Sequence, residues 1–338
     1  MQQPHSLESR KYQEEIAQMA LEFGLLAPQG WRMDLVDIPD PVAAYEAMTQ
    51  VAQEAEALGY ASIWLFDHFH TVPEPTPEKT FECWTGTAGL ARDTKRIRIG
   101  QMVTCNGYRN PALLAKMAST VDVMSHGRLV FGIGAGWHEH EFKAFGYEFP
   151  AAPTRLQQLK EAVQIIRAMW TEDEAVFEGR YYHIQGAINS PKGVQKPHIP
   201  LLIGGSGEKV TLKLVAQFAD ACNISNPTVE MLEHKLVVLK GYCDEIGRDY
   251  NSIKRTVLLN CAIADTEEAA LAKSGPFQRN ALPGKVREQS LIGTPAMIRE
   301  RLAQYEQVGA QEVIMWMSDA TQLDAVRMFA QELIQQGS

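Results

Sequence analysis

The sequence predicts an α/β protein of the TIM-barrel type, a (β/α)8 barrel with insertions. Short apolar runs alternate with stretches of helical period, which is the pattern of a parallel sheet with crossover helices. The alternation occurs eight times in 338 residues, a usual length for such a barrel. A doubly wound sheet is the alternative fold. No change of composition marks a linker, so we expect one domain at 21–338, preceded by an N-terminal arm at 1–20.

The first four units follow from local signals. A strand at 22–27 precedes a helix that starts at Asp40, as cap, and Pro41, in the first turn, and that ends at Gly59. The other elements predicted in this half are strands at 62–66, 96–103 and 128–134 and helices at 82–92, 111–124 and 154–170.

The second half begins with an insertion. Residues 176–184 are predicted to form a small hairpin between core elements. The elements predicted after it are strands at 200–205, 221–225, 255–264 and 312–317 and helices at 210–220, 228–246, 266–282, 295–308 and 321–335.

Composition excludes several classes of function. The net charge of −9, with no basic cluster, argues against nucleic-acid binding. The five cysteines are scattered and never form CxxC, so neither a disulfide framework nor a thiolate zinc site is expected. No run of about 18 apolar residues occurs, and the first residues lack the apolar region of a secretion signal. We therefore expect a cytoplasmic protein that acts on a small molecule, away from membranes.

The end of the second strand offers the first candidate site residues, because functional groups of such barrels lie where strands end. Asp67, His68, Phe69 and His70 stand there. His68 could donate a proton or a hydrogen bond, with Asp67 as an orienting or capping group. The two histidines could instead begin a metal site, although the later strand ends offer no well-placed further ligands. A polar rim without function is the third reading.

Two glycine-rich segments are candidates for ligand contact. Gly204, Gly205, Ser206 and Gly207 join a strand to a helix, where backbone N–H groups favour a phosphate, although a plain tight turn also fits. The stretch FGIGAGWHEHEFKAFG (131–146) does not have the spacing of a dinucleotide fingerprint or of a helical zinc motif. We interpret it as the fourth strand leaving the barrel, with glycines that leave room for a flat ligand.

With these pieces placed, the chain resembles the bacterial luciferase-like superfamily of flavin- and deazaflavin-dependent oxidoreductases. The resemblance extends from Phe23 to Gln335. Its carriers are FGLLAPQGWRMDLV, AEALGYASIWLFDHFH, the segment from RIRIGQMVTCNGYRNP to FGIGAGWHEHEFKAFG, and PLLIGGSGEKVTLKLVAQFADACNI. The runs PQGWRMDLV and GGSGEKVTL are similar to the group that depends on the deazaflavin coenzyme F420.

The resemblance implies a TIM barrel with the cofactor ring at its C-terminal mouth and His68 as the catalytic residue near the ring. The strand-three bulge, often with a non-proline cis peptide, falls at Met102 to Cys105. The implied cofactor-binding residues are Asp67, Met102, Val103, Thr104, Cys105, Gly134, Gly136, His140, Gly204, Gly205, Ser206 and Gly207. The aromatic residues expected to wall the substrate pocket are Trp31, Phe69, Trp137 and Trp316.

Two departures bear on the substrate. Where sugar-phosphate dehydrogenases of the superfamily carry an acid after the strand-four glycines, this chain has Trp137, and where they carry a tryptophan after the strand-two histidine it has Val72. A different substrate is therefore expected. The leading hypothesis is hydride transfer between F420 and a small organic molecule. The alternatives are an FMN-dependent monooxygenase using O2, a metal-dependent barrel hydrolase, and a flavin-binding barrel without turnover. A homodimer is also possible.

Overall fold

A computed structural model of the chain describes residues 21–279 and 284–335. The predicted N-terminal arm at 1–20 therefore lies outside the described residues, as does the end of the helix predicted at 266–282.

The strands close into a barrel. In chain order the strands are β1 (Glu22–Leu26), β2 (Ser62–Leu65), β3 (Arg98–Gln101), β4 (Thr104–Cys105), β5 (Leu129–Gly134), β6 (Ala175–Glu178), β7 (His183–Ala187), β8 (Leu201–Gly204), β9 (Ala221–Ser225), β10 (Lys254–Ile263), β11 (Ser290–Gly293) and β12 (Glu312–Trp316). The ring runs β1-β2-β3-β5-β8-β9-β10-β12, and β12 pairs with β1 in parallel. An open doubly wound sheet would leave two edges, so the predicted barrel is confirmed.

The described helices follow the strands as predicted, except for a short helix at Glu139–Ala144 that was not predicted. They are α1 (Pro41–Leu58), α2 (Cys83–Asp93), α3 (Pro111–Met124), α4 (Glu139–Ala144), α5 (Ala152–Thr171), α6 (Thr211–Phe218), α7 (Val229–Ile246), α8 (Glu267–Lys273), α9 (Pro295–Gln307) and α10 (Asp324–Phe329). At the start of α1 the Asp40 carboxylate accepts from the Ala43 N–H at 2.7 Å, and Gly59 (φ 91°) ends the helix. None of the described helices is both long and apolar enough to cross a bilayer.

The third strand differs from the prediction. Instead of running to residue 103, β3 ends at Gln101, and the chain resumes as β4. Ile99 pairs with Leu129 and Thr104 pairs with Ile133. Between these two pairs the β3–β4 segment has one residue more than β5, and this extra residue is a β-bulge. The peptide between Met102 and Val103, inside the bulge, is cis. The bulge lies where the resemblance implied one.

Other elements differ in detail. The predicted hairpin is confirmed, since β6 and β7 are antiparallel. The predicted helix at 266–282 is shorter: α8 ends at Lys273 and a 3₁₀ turn follows at Gly275–Arg279. The last helix, predicted from 321, begins as α10 at Asp324 and continues as a π turn at Ala330–Ile334. Strand β11 was not predicted; it pairs in parallel with the end of β10, outside the ring.

Two apolar layers stabilise the barrel. The larger one packs the outer faces of the strands against the helices, and all five cysteines are buried and unpaired as thiols. The barrel interior holds a second set that includes Trp64, Phe66, Leu202 and Ile314. At the C-terminal end of the barrel this interior set finishes with Trp31, Met102 and Trp316, which form the floor of the site.

Candidate functional site

A cavity of about 510 Å³ opens at the C-terminal ends of the strands, where a barrel of this type carries its active site. A smaller cavity of about 220 Å³ adjoins it. Trp31, Arg32, Trp137 and His138 line both cavities. A large and a small molecule could therefore lie side by side.

His68 is held by a buried carboxylate. It follows β2, lines the larger cavity and is 8% exposed. Its Nδ1 lies 2.7 Å from Oε2 of Glu141, which is fully buried on α4. The Tyr108 hydroxyl donates to the same oxygen at 2.9 Å, and the Phe69 N–H donates to Oε1 at 2.8 Å. Glu141 thus joins the end of β2 to the segment after β5.

The charge of Glu141 fixes the tautomer of His68. Burial by itself raises the pKa of Glu141, but the hydrogen bond and charge of His68, with the N–H of Phe69 and the hydroxyl of Tyr108, lower it to about 2. Burial, reinforced by Cys105 and Glu141, raises the pKa of Tyr108, so its hydroxyl keeps its proton. A carboxylate only accepts hydrogen bonds, so Nδ1 of His68 must donate, and Nε2 is the ring nitrogen that is not committed to Glu141.

The Glu141→Gln variant should reveal this low pKa as a pH-dependent loss of stability. A carboxyl with a pKa of 4.5 when unfolded and about 2 when folded contributes about 3 kcal/mol above pH 4.5, and this contribution is lost as the pH falls towards 2. Urea unfolding at several pH values should therefore show a deficit in the variant that is largest near pH 7 and shrinks below pH 4.5. Glu139→Gln, on an exposed pair with Lys143, is the control. A deficit for Glu141→Gln that is equal at pH 7 and pH 3 would contradict the assignment.

Trp31 covers one face of the His68 ring. The two rings are stacked, with centroids 3.9 Å apart and planes inclined by 5°. Trp137 and His138 approach the imidazole edge-on at 5.8 and 5.7 Å. Stacking and the bond to Glu141 together leave His68 little freedom to rotate.

Asp67 supports the bulge. Its side chain is fully buried, and Arg109 donates to both carboxylate oxygens, at 2.6 and 3.0 Å. The Cys105 N–H donates to Oδ2 at 2.8 Å. Burial acts to lower the pKa of Arg109, but Asp67 outweighs it and raises that pKa. Both of its oxygens are therefore engaged within the protein, and its expected contact with the cofactor stays a prediction.

The glycines at the strand ends accommodate Val103. A Cβ on Gly134 would lie 2.8 Å from Cγ2 of Val103, and one on Gly204 would lie 2.9 Å from Cγ1. The space that these glycines leave is therefore filled by the Val103 side chain. We expected these glycines to leave room directly for a flat ligand. Instead they leave room for the side chain of Val103, which the bulge presents as part of the cavity wall.

Most of the predicted residues line the larger cavity. Those that do are Trp31, Asp67, His68, Met102, Val103, Thr104, Cys105, Gly134, Gly136, Trp137, Gly204 and Gly205. Trp316 lines the smaller cavity. Trp137 is 64% exposed and stands at the mouth.

Four predicted residues lie away from both cavities. Phe69 packs against Tyr108 and Phe145, with ring centroids 4.5 and 4.4 Å away, in a separate apolar cluster. His140 is on the exposed side of α4, where its Nδ1 lies 3.1 Å from Nε2 of His70. Ser206 and Gly207 are exposed in the turn before α6. Phe69 is therefore not part of the pocket wall that we expected.

The sequence prediction missed several groups at the site. They are Arg32, Tyr108, Arg109 and Glu141. For Glu141 a signal was present, because the apolar residue Phe142 follows it directly within a charged run. The other residues carry no comparable signal, since their partners lie on distant strands.

A group of histidines could hold a metal ion, but it differs from the pair that the sequence suggested. His68 is engaged by Glu141, whereas one ring nitrogen each of His70, His138 and His140 lie within 4.8 Å of one another. The Nδ1 atoms of His70 and His138 have no hydrogen-bond partner among the described residues. Burial lowers the pKa of His138; the charge of Glu141 opposes this shift, and the neighbouring histidines add to it. The lowered pKa favours the neutral imidazole, which is the form that metals bind.

Known proteins of similar sequence include F420 enzymes. The F420-dependent glucose-6-phosphate dehydrogenase of Microbacterium testaceum is 28% identical over 313 residues, which span 83% of this chain and 90% of that protein.

Solved structures share the fold. An F420-dependent secondary alcohol dehydrogenase in complex with an F420–acetone adduct superposes with a TM-score of 0.81 at 20% identity, over 94% of this chain and 99% of the other. The oxygenating constituent of 3,6-diketocamphane monooxygenase of Pseudomonas putida, in complex with FMN, gives 0.73 at 18% identity, over 94% and 99%. The family model described as luciferase-like monooxygenase matches residues 21–286, from β1 past α8. The barrel, its bulge and this match agree, and the chain belongs to the luciferase-like monooxygenase family.

Proposed function

We propose that the protein is an F420-dependent oxidoreductase that transfers hydride between coenzyme F420 and a small organic substrate. The observation that carries the proposal is the His68–Glu141 pair at the wall of a 510 Å³ cavity, which provides a proton donor beside space for a large cofactor. The relationship to proteins named as F420-dependent supports the choice of cofactor.

The residues around the larger cavity fit a flat cofactor with a phosphate-bearing tail. Val103, on the bulge, offers an apolar support for a ring, and Met102 continues it. Gly204, Gly205 and Thr211 lie together at the start of α6, where backbone N–H groups suit a phosphate. Ser206 and Gly207 belong to the same turn and stay candidates for this contact. When bound, F420 would accept or supply the hydride.

In the proposed reaction the protein itself donates or accepts the proton. His68 would give or take it at Nε2, since Nδ1 is committed to Glu141. The carboxylate would stabilise the imidazolium form in a buried setting and would prevent the ring from turning. Trp31 would exclude water from one face of the ring. Glu141 and Trp31 are therefore positioning residues, and His68 is the catalytic residue.

Cofactor titration tests the proposal. We expect purified protein to bind F420 with saturable quenching of the cofactor fluorescence, and to bind FMN at least about tenfold more weakly. Tight FMN binding without F420 binding would refute the leading proposal and favour the FMN-dependent monooxygenase, a class that the fold also serves. Stoichiometric zinc in protein prepared without added metal would favour the hydrolase, with His70, His138 and His140 as ligands.

The substrate is proposed to differ from glucose 6-phosphate. Trp137 and Val72 replace the groups that the resemblance implied for sugar phosphates, and both line the smaller cavity. Binding of F420 without turnover of any substrate would instead support a cofactor-binding role. The homodimer and the cytoplasmic location stay predictions.

A further inference from the structure

Arg32 is a half-buried cation among aromatic rings. It follows Trp31 after β1, and its guanidinium carbon lies 4.4 Å from the ring centroid of Trp316 and 5.1 Å from those of Trp31 and Phe66. Within the described residues it forms one hydrogen bond, from Nη1 to Oδ1 of Asn260 at 3.1 Å, and none of the described carboxylates forms an ion pair with it.

The charge of Arg32 persists in this setting. Burial lowers its pKa to about 10, although the negative charge of Asp34 opposes the shift. The guanidinium is therefore protonated at neutral pH. Removing a cation from water without an ion-pair partner is costly, and such groups in proteins are normally paired. The aromatic faces compensate for part of this cost through cation–π contacts. The part of this cost that the cation–π contacts do not compensate favours binding of an anionic ligand.

Four unpartnered donors belong to Arg32 and to the side chains in contact with it. Within the described residues, the buried atoms Nε of Arg32, Nδ2 of Asn260, and Nε1 of Trp31 and Trp316 have no hydrogen-bond partner. Asn260 and Trp316 are register neighbours on β10 and β12. Because Oδ1 of Asn260 accepts from Arg32, its NH₂ group is left as the free donor. All four groups donate and none accepts, so a ligand that reached any of them would have to offer acceptors.

The lining of the smaller cavity indicates the shape and charge of such a ligand. The rings of Trp31, Trp137 and Trp316 line it, together with Pro73 and Pro276, and Arg32 is the only arginine or lysine in its described lining. One cation balances a carboxylate, whereas a phosphate monoester carries a charge of about −1.5 to −2 at neutral pH. A carboxylate also matches the planar fork of an arginine.

We propose that this smaller cavity is a substrate subsite for small organic carboxylates, with the apolar body between the tryptophans and the carboxylate on Arg32. The assignment to substrate rests on the proposed function, in which the cofactor occupies the larger cavity. The ring of Trp31 contacts both groups: it stacks on the imidazole of His68, and its centroid lies 5.1 Å from the guanidinium carbon of Arg32. The subsite would therefore hold one end of a substrate close to the proton donor.

Calorimetric titration of F420-saturated protein with benzoate, benzamide and phenyl phosphate tests the proposal. We expect saturable binding of benzoate and at least about tenfold weaker binding of both the uncharged amide and the phosphate, because hydrogen bonds to a charged group discriminate to that degree. Arg32→Gln should weaken benzoate binding at least about tenfold. Arg32→Lys, which keeps the charge and is the safer variant for folding, should weaken it less.

Controls separate this inference from the proposed function. Arg180→Gln, on an exposed arginine of the hairpin, should bind benzoate like the wild-type protein. Benzoate binding that persists in protein unable to bind F420 would refute the proposed function and leave the carboxylate site standing. The proposal is overturned if no benzoate binds, if benzamide or phenyl phosphate binds as well as benzoate, if Arg32→Gln has no effect, or if F420 and benzoate exclude each other.

Discussion

Replacing His68 with asparagine is expected to lower kcat by about 10²- to 10⁴-fold, the usual contribution of a positioned general acid or base. The measurement is steady-state turnover of F420 with the first substrate that the wild-type protein accepts. Because the asparagine amide retains a donor towards Glu141, the variant should fold, and its F420 affinity should stay within a few-fold of the wild type. The loss should therefore appear in kcat while F420 binding is retained.

His70→Asn is the matched control for this experiment. His70 lies two residues further along the same loop and lines neither of the two cavities described above. Its activity should be within about twofold of the wild type. An equal loss in both variants would point to a general disturbance of the loop, and an active His68→Asn enzyme would remove His68 from the mechanism.

Replacing Asp67 with alanine is expected to lower the free energy of unfolding by about 3 kcal/mol. Removing one member of a buried ion pair costs about 3–5 kcal/mol, because the remaining charge is left uncompensated. Here the lower end applies, since Arg109 keeps a second contact to Glu82 at 2.6 Å. The variant also removes the acceptor for the Cys105 N–H, which should loosen the bulge and weaken F420 binding. Urea unfolding and F420 titration measure the two effects.

Glu139→Ala is the comparison for stability. Glu139 pairs with Lys143 at 2.7 Å, but both side chains are more than half exposed. Exposed pairs of this kind contribute about 0.3–0.5 kcal/mol. If Asp67→Ala destabilised the protein no more than Glu139→Ala does, the buried network would not be what holds the bulge.

The barrel could be predicted because its signals are local. The cap at Asp40, the stop at Gly59 and the alternation of apolar runs each depend on a few neighbouring residues. The structure has the predicted barrel strands, apart from β3, within one residue of their expected bounds. The bulge could not be predicted from the residues alone, because it is defined by the offset between β3 and β5. The resemblance supplied that position.

Site residues were predictable where strand alternation or a strand end located them. His68 came from the end of β2, and the same alternation should have excluded Phe69, since successive side chains of an extended segment point to opposite sides. Arg32 could not be found in this way. Its surroundings are created by Asn260 and Trp316, more than 200 positions along the chain.

The bond between His68 and Glu141 has a consequence for how the fold could be divided. The histidine comes from the second barrel unit and the carboxylate from the segment after the fourth strand of the ring, so the two groups meet only when intervening units are in register. A fragment ending before residue 135 would contain the histidine without its partner. The proposed proton chemistry therefore requires the ring to be assembled through its fourth unit, and a fragment that holds only the first two units could not carry it.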